Sequence, residues 1–264
     1  MTASFENRKK LSELGLCEDG IFFYRETDST NTRAKEALLS LTSPKKPMLF
    51  YAMRQTAGRG TKGRSFLSSE ETGLWFSLLY TPMREDFDPS GLTAMAAVSV
   101  IEGIEAALGT ELSEKFYIKW VNDILFGRKK VAGILSERGT ARGGFFGYVI
   151  GIGINLYSAT LPDSISDIAI SVEDAIGVRI ERERLLYEIT KRLLYYLDGG
   201  HREEILRKYR DKMLPDVKSI TITDALGQKR DAEIVGIDDG FALTVRYESG
   251  ECETLVSADV SIRI

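Results

Sequence analysis

A chain of 264 residues, 43% hydrophobic, is long enough for one large domain or for a medium domain followed by a small one. A net charge of −4 argues against a surface that attracts nucleic acid as a whole, and two distant cysteines, Cys17 and Cys252, suit a reducing cytoplasm better than a disulfide scaffold or a metal site. The single histidine, His201, sits in a polar stretch that reads as an exposed helix boundary, which excludes a Ser-His-Asp hydrolase and a His-ligated zinc enzyme.

No run approaches the roughly 20 apolar residues that cross a bilayer, and the polar N-terminus lacks a signal-peptide core. The expectation is a cytosolic protein with no membrane contact.

In chain order, Ile21 to Arg25 and Met48 to Met53 read as strands, rich in aromatic and apolar residues. Between them, Asp28-Ser29-Thr30-Asn31-Thr32 is a cluster of helix N-cap formers ahead of a helical pattern from Ala34 to Leu39. Gly73 to Tyr80 reads as a buried strand, and Leu92 to Leu108 as a buried helix of small and apolar residues. Asp123 to Phe126 and Lys130 to Glu137 flank a short Gly-containing turn, as in a hairpin, and Phe145 to Leu156 can pair beside them. Glu181 to Leu197 and Arg202 to Met213 are amphipathic helices.

From Pro215 the character changes to short alternating segments (219–223, 232–236, 242–247, 252–256 and 260–263) separated by turn signals. The expected organisation is an α+β body over residues 1–214 and a small barrel over 215–264. Strands in neighbouring hairpins favour a mixed, largely antiparallel sheet over a doubly wound one.

Three segments carry chemistry. The first, Arg54 to Phe66, holds three glycines and four basic residues before Ser65, so backbone N–H groups and guanidinium forks could cradle an anion. A solvated basic loop, or one touching RNA, has the same composition, and no Walker A spacing is present. The second, Lys119-Trp120-Val121-Asn122-Asp123, combines a cation, an amide and a carboxylate at a strand entry, where Asp123 can equally be a turn residue and Trp120 core. The third begins at Lys130, at the mouth of an apolar strand, where a solvent-facing lysine is the plainer reading.

Together these segments resemble the catalytic core of the biotin–protein ligases. Asp28-Ser-Thr-Asn31, Gln55-Thr-Ala-Gly-Arg-Gly60, Lys119-Trp-Val-Asn-Asp123, Lys130-Val-Ala-Gly-Ile-Leu135 and Gly151-Ile-Gly-Ile-Asn155 stand in family order, and Ser261-Ile262-Arg263 is similar to the family's C-terminal end. The resemblance covers roughly residues 21 to 264. It implies a mixed sheet with helices, like that of class II aminoacyl-tRNA synthetases, followed by a small SH3-like barrel.

The resemblance also implies an activity and a site. Biotin is activated by ATP with Mg²⁺ to biotinyl-AMP, then passed to a lysine on the biotin carboxyl carrier domain of a carboxylase or decarboxylase. Ser29, Thr30, Asn31, Gln55, Arg59, Gly60, Thr61 and Lys130 would hold biotin. Arg64, Phe66, Lys119, Asn122, Asn155 and Arg263 would hold ATP. Lys130, Arg59 and Asp123 would carry the chemistry, with Asp123 beside Mg²⁺ and a candidate general base for the acceptor amine.

Thr61 stands where the family commonly has a second arginine, which implies weaker retention of biotinyl-AMP unless Lys62 substitutes. Val121 replaces a frequent proline with conservative effect. The lipoate ligases' Arg-Arg-x-Ser-Gly-Gly-Gly pattern is not found. Because the catalytic strands begin near Ile21, no winged-helix DNA-binding domain is expected. A purely passive biotin binder would not need Arg64, Asp123 and Lys130 together. The resemblance is compatible with a homodimer through the sheet.

Overall fold

The computed structural model describes residues 5–17, 19–64, 66–68, 72–84, 86–110, 116–158, 161, 165–213, 219–223, 227–256 and 259–262. Among them, strands β1 (Ile21–Thr27), β2 (Met48–Gln55), β3 (Gly73–Tyr80), β4 (Phe116–Lys119), β5 (Asp123–Phe126), β6 (Lys129–Thr140) and β7 (Phe146–Asn155) form one sheet in the order β1-β2-β3-β7-β6-β5-β4. Only β1 and β2 pair in parallel, because helix α2 (Thr30–Ser40) carries the chain back between them. The other neighbours are antiparallel, as expected of strands arranged in hairpins.

The alternation of side chains divides the work of the two sheet faces. Leu49 and Tyr51 of β2, Leu74, Phe76 and Leu78 of β3, and Ile150, Ile152 and Ile154 of β7 belong to one large buried cluster. Helices α3 (Leu92–Leu108) and α5 (Arg182–Leu197) supply its other wall. Ala94, Ala96, Ala97 and Ser99 of α3 are fully or nearly fully buried, so the helix can lie deep in the core. Leu185, Ile189 and Leu193 of α5 repeat at the spacing of a helix face and are buried, each contributing on the order of 1.5–3 kcal/mol.

The opposite face is covered only in part. Ala34 and Leu38 of α2 pack there on Phe50, Leu79 and Val149. Further along that face the alternation brings up Ser77, Gly133, Gly151 and Gly153, whose small side chains leave a hollow in place of a second core.

A second antiparallel sheet follows, made of β8 (Ser219–Thr223), β9 (Lys229–Ile237), β10 (Leu243–Tyr247), β11 (Cys252–Leu255) and β12 (Asp259–Ile262), in the order β11-β10-β9-β8-β12. It packs against the first unit. Trp120 Nε1 donates to the Phe241 carbonyl at 3.1 Å, and Arg210 Nε, on helix α6 (Arg202–Asp211), donates to the Ile237 carbonyl at 3.0 Å. Ile220, Leu243 and Val245 share the buried cluster of Ile118 and Trp120.

Several expectations need correction. Helix α2 begins at Thr30, four residues ahead of the apolar pattern, because residues 30–33 already complete its first turn. Helices α1 (Phe5–Ser12) and α4 (Val172–Ile176) and strand β4 went unpredicted, being short and weakly patterned. His201 is less exposed than expected. Its ring lies 3.9 Å from that of Tyr195 and its Nδ1 3.5 Å from a Glu204 oxygen. The segment Pro89–Leu108, with mean hydropathy 1.5, is long and apolar enough to cross a membrane by length and composition, against the expectation that no stretch is. Here 72% of that window is buried inside the protein.

Candidate active site

The hollow on the α2 face is a solvent-open cavity of about 170 Å³ at the ends of β1, β2 and β6. A larger concavity of about 580 Å³ lies elsewhere, around Lys45, Tyr80 and Tyr195. The smaller one is the better candidate because polar side chains from three distant segments converge on it. Of the residues expected to act, Ser29, Thr30, Asn31, Gln55, Arg59, Gly60, Thr61, Arg64, Phe66, Asn122, Asp123 and Lys130 all line it. Lys119 and Asn155 do not line it, and Arg263 lies outside the described residues.

The floor is built by the turn from β1 into α2. Asp28 Oδ1 accepts from the Ser29 N–H at 2.6 Å, and its other oxygen binds Arg33 at 2.9 Å. Those donors hold the Asp28 carboxyl below its usual range although burial pushes it up. Ser29 makes no capping bond with its side chain and is buried in the cavity wall.

Gln55, at the end of β2, is spent on the protein itself. Its Oε1 accepts from Thr30 N at 2.7 Å and lies 3.2 Å from Thr30 Oγ1, while its Nε2 donates to Ser68 Oγ at 3.1 Å. Gln55 therefore ties the floor to the glycine-rich loop.

Ser77 completes the floor. Its hydroxyl has one proton, and Asn31 Oδ1, 2.6 Å away, can only accept it; Thr30 Oγ1 lies 2.7 Å off on the other side. Asn31 Nδ2 in turn donates to the Leu135 carbonyl at 3.3 Å and to Glu137 at 3.0 Å. Gly151 makes room for this amide: a Cβ there would fall 1.9 Å from Asn31 Oδ1.

The loop after β2 folds back on itself. Phe66 N donates to the Gly58 carbonyl at 2.9 Å, and Gly60 N to the Arg64 carbonyl at 2.7 Å. Gly58 is required by close approach, since a Cβ would lie 2.2 Å from Ser68 Oγ and 2.4 Å from the Phe66 carbonyl oxygen. Arg59 reaches Glu137 at 3.2 Å, while Arg64 Nη2 donates to Thr61 Oγ1 at the same distance. The Phe66 ring stands edge-on to Trp75, with centroids 5.7 Å apart.

At the far end, β5 and β6 bring Asp123 and Lys130 together, with Lys130 Nζ 2.6 Å from Asp123 Oδ1. The lysine is thus only partly exposed and is paired, and Asp123 is more than a turn residue. Lys130 Nζ also sits 5.4 Å from the centre of the Phe66 ring. Asn122 Nδ2 donates to the Ile134 carbonyl at 2.9 Å and Ile134 N to the Asn122 carbonyl at 2.9 Å, which fixes the β5 entry. Asn155 Nδ2 approaches the Lys130 carbonyl at 3.4 Å, and Lys119 is the β4 partner of Asp123. Those two residues shape the backbone around the acid–lysine pair from outside the cavity.

Among the described residues the lining cations are Arg59, Arg64 and Lys130, against one carboxylate, Asp123. In a chain of net charge −4 this is a local excess of positive charge. One end is an uncharged hydrogen-bonding floor, the other a cationic wall with an aromatic ring. Ser77 and Glu137 were not foreseen in the sequence.

A model of the biotin/lipoate A/B protein ligase family matches residues 22–155. The chain is 32% identical over 247 residues to the bifunctional ligase/repressor BirA of Bacillus spizizenii, covering 90% of this chain and 73% of the relative. Among solved structures it is similar to a biotin protein ligase from Aquifex aeolicus in complex with biotin and ATP, with TM-score 0.74, 29% identity, and coverage of 92% of this chain and 98% of that one. A biotin protein ligase from Leishmania major in complex with biotinyl-5-AMP aligns with TM-score 0.61, 26% identity, and coverage of 90% and 99%. Fold and site define an α+β protein with a cation-lined cavity on one face of a mixed sheet. The chain belongs to the biotin/lipoate A/B protein ligase family.

Proposed function

We propose that the chain is an ATP-dependent biotin protein ligase. The observation that carries this reading is the convergence of Arg59, Arg64 and Lys130 on a cavity whose other end, built by Ser29, Thr30 and Asn31, is uncharged. Such a cavity suits a ligand with a polar neutral head and an anionic tail that must meet a second anion.

In the first step a biotin carboxylate oxygen attacks the α-phosphorus of ATP, and the bond to pyrophosphate breaks. Two unit charges about 4 Å apart repel by roughly 4 kcal/mol at an effective dielectric near 20. Lys130, between the carboxylate and the α-phosphate, offsets this repulsion, and Arg59 and Arg64 act on the charge that builds on phosphate. Ser29, Thr30, Asn31 and Gln55 hold the biotin end, with Gln55 acting through Thr30. Phe66 offers its ring to adenine, and Asn122 shapes the nucleotide end. Asn155, Lys119 and Arg263 complete the ATP side in this reading.

Mg²⁺ is expected on the ATP phosphates. Among the described residues no three acidic, His or Cys groups gather into a cage, which fits an ion carried mostly by phosphate and water. Asp123 is the lining carboxylate that would hold it, and bound there the ion would neutralise phosphate charge.

In the second step the ε-amine of an acceptor lysine attacks the acyl carbon, AMP leaves, and a base takes the amine proton. Asp123 is our candidate base. Thr61 supplies no cation where the family resemblance implies arginine, so retention of the mixed anhydride rests on Arg59 and Arg64, with Lys62 the candidate substitute. The acceptor is a biotin carboxyl carrier domain. Residues 215–264 form an SH3-like barrel behind a catalytic domain of residues 1–214, whose sheet is of the class II aminoacyl-tRNA-synthetase type. The reaction belongs in the cytoplasm, in keeping with free Cys17 and Cys252. The relative named ligase/repressor extends beyond the aligned 73% of its length, and no DNA-binding role is proposed here.

The test is a carrier domain incubated with the protein, ATP and Mg²⁺, with biotin or lipoate, followed by mass spectrometry. A gain of one biotinyl group on one lysine is the expected result. A lipoyl gain without a biotinyl gain would move the chain to the sister activity.

A further inference from the structure

Glu137 lies at the rim of the cavity, on the face of β6 shared with Gly133 and Leu135, and neither the family resemblance nor the lining of the site assigns it a role. Its carboxylate gathers three donors from three separate segments. Oε2 accepts from Asn31 Nδ2 at 3.0 Å; Oε1 accepts from Lys35 Nζ at 2.5 Å and from Arg59 Nη2 at 3.2 Å. The Glu137 side chain is 18% exposed, against 44% for Arg59 and 33% for Lys35. Burial pushes the carboxyl up, but the hydrogen bonds from Lys35 and Asn31 and the charges of Lys35 and Arg59 outweigh it and hold the group below its usual range.

We propose that Glu137 is a positioning residue that latches Arg59, and with it loop residues 56–64, onto the floor that receives the biotin end of the substrate. The proposal rests on the biotin ligase reading for the ligand's identity, but the latch itself is a property of the ligand-free chain. Glu137 joins the two parts that must close on the ligand, because Asn31 belongs to the floor and Arg59 to the loop. Arg59 is then held near the place where the ligand's carboxylate arrives, and exchanges or shares partners when it does. Its ordering cost is met before binding, which favours retention of the intermediate.

The geometry also says why the residue is an acid. The orientation of the Asn31 amide is set by Ser77 on its oxygen and the Leu135 carbonyl on its nitrogen, so Asn31 presents only a donor to Glu137. Lys35 and Arg59 are donors as well. Both carboxylate oxygens must therefore accept, and a glutamine in this place turns its N–H₂ either on Asn31 or on the two cations.

Glu137→Gln and Lys35→Gln separate a latch from a merely structural contact. Lys35 shares Oε1 with Arg59, so removing it leaves that oxygen to the arginine alone. In ligand-free protein, limited trypsin cleavage after Arg59, Lys62 and Arg64, read by mass spectrometry, is expected to rise about tenfold in Glu137→Gln, as for a partly buried charged network. It is expected to fall about twofold in Lys35→Gln, the size of a shared, partly exposed pair. With biotin and ATP, Glu137→Gln should raise the KM for biotin about tenfold and change kcat less than about threefold, as for lost ground-state positioning. Cleavage that does not rise in Glu137→Gln, or that rises in both variants along with a common loss of melting temperature, would overturn the proposal. Absence of biotin turnover in the wild type would overturn the ligase reading while the cleavage data still decided the latch.

Discussion

Replacing Lys130 with methionine is expected to lower biotin-dependent exchange of pyrophosphate into ATP by about 10²–10³-fold, the cost of removing one pre-placed group that meets developing charge. Lys130 Nζ is held 2.6 Å from Asp123 and close to the Phe66 ring, so its ammonium is fixed before substrate arrives. Methionine keeps the length and apolar stem of the side chain, so the loss isolates the charge. The pair is partly solvent-exposed, at 32% for Lys130 and 22% for Asp123, so the fold should weaken by no more than about 1 kcal/mol.

The companion variant Asp123→Asn divides the two steps. It keeps the lysine cation but weakens the carboxylate that would hold Mg²⁺, so exchange should fall by up to about tenfold, while transfer to the carrier falls by about 10²-fold if Asp123 takes the amine proton. Normal adenylate formation together with normal transfer would remove Asp123 from the mechanism.

The second large effect is on the floor. Gly151→Ala places a Cβ 1.9 Å from Asn31 Oδ1, inside any tolerable contact. Asn31 cannot yield alone, because its amide is fixed by Ser77, the Leu135 carbonyl and Glu137. Moving it strands the Ser77 hydroxyl, which is fully buried, or forces β7 away from α2. Either outcome should cost about 2–4 kcal/mol and lower Tm by roughly 5–15 °C. Biotin affinity should fall with it, because Thr30 and Gln55 belong to the same bonded floor. Gly236→Ala is the matched control: nothing lies within 4 Å of its added Cβ, and its Tm should not fall. Equal melting of the two variants would show that the Asn31 amide is not a fixed part of the floor.

The legible part of this fold was local. The strands from Ile21, Met48 and Gly73, the hairpin about Gly127 and the helices ending near Leu108 and Leu197 announce themselves by alternation, helical spacing and turn residues. Most of the lining of the site was legible too, because its glycines, arginines and amides cluster within short motifs. Ser77 was not, since a lone serine inside an apolar strand reads as a small core residue. Its meaning comes from Thr30 and Asn31, which lie 47 and 46 residues away in sequence and are brought beside it by α2 packing on the sheet. Glu137 was hidden for the same reason: at the end of an apolar stretch it reads as a solvated charge, and its three partners lie 78 to 106 residues away. Gln55 shows the converse. Its motif marked it as a ligand contact, and besides lining the cavity its amide holds Thr30 and Ser68 in place. Sequence identifies which residues gather at such a site; which of them face the ligand and which brace the others depends on long-range pairing.

The central claim, that this pocket joins biotin to AMP, is tested most directly by exchange of labelled pyrophosphate into ATP with Mg²⁺, run with biotin, with lipoate and with neither. Exchange that requires biotin and is lost in Lys130→Met is the predicted result. Exchange with neither substrate above background, from protein that melts cooperatively, would contradict it.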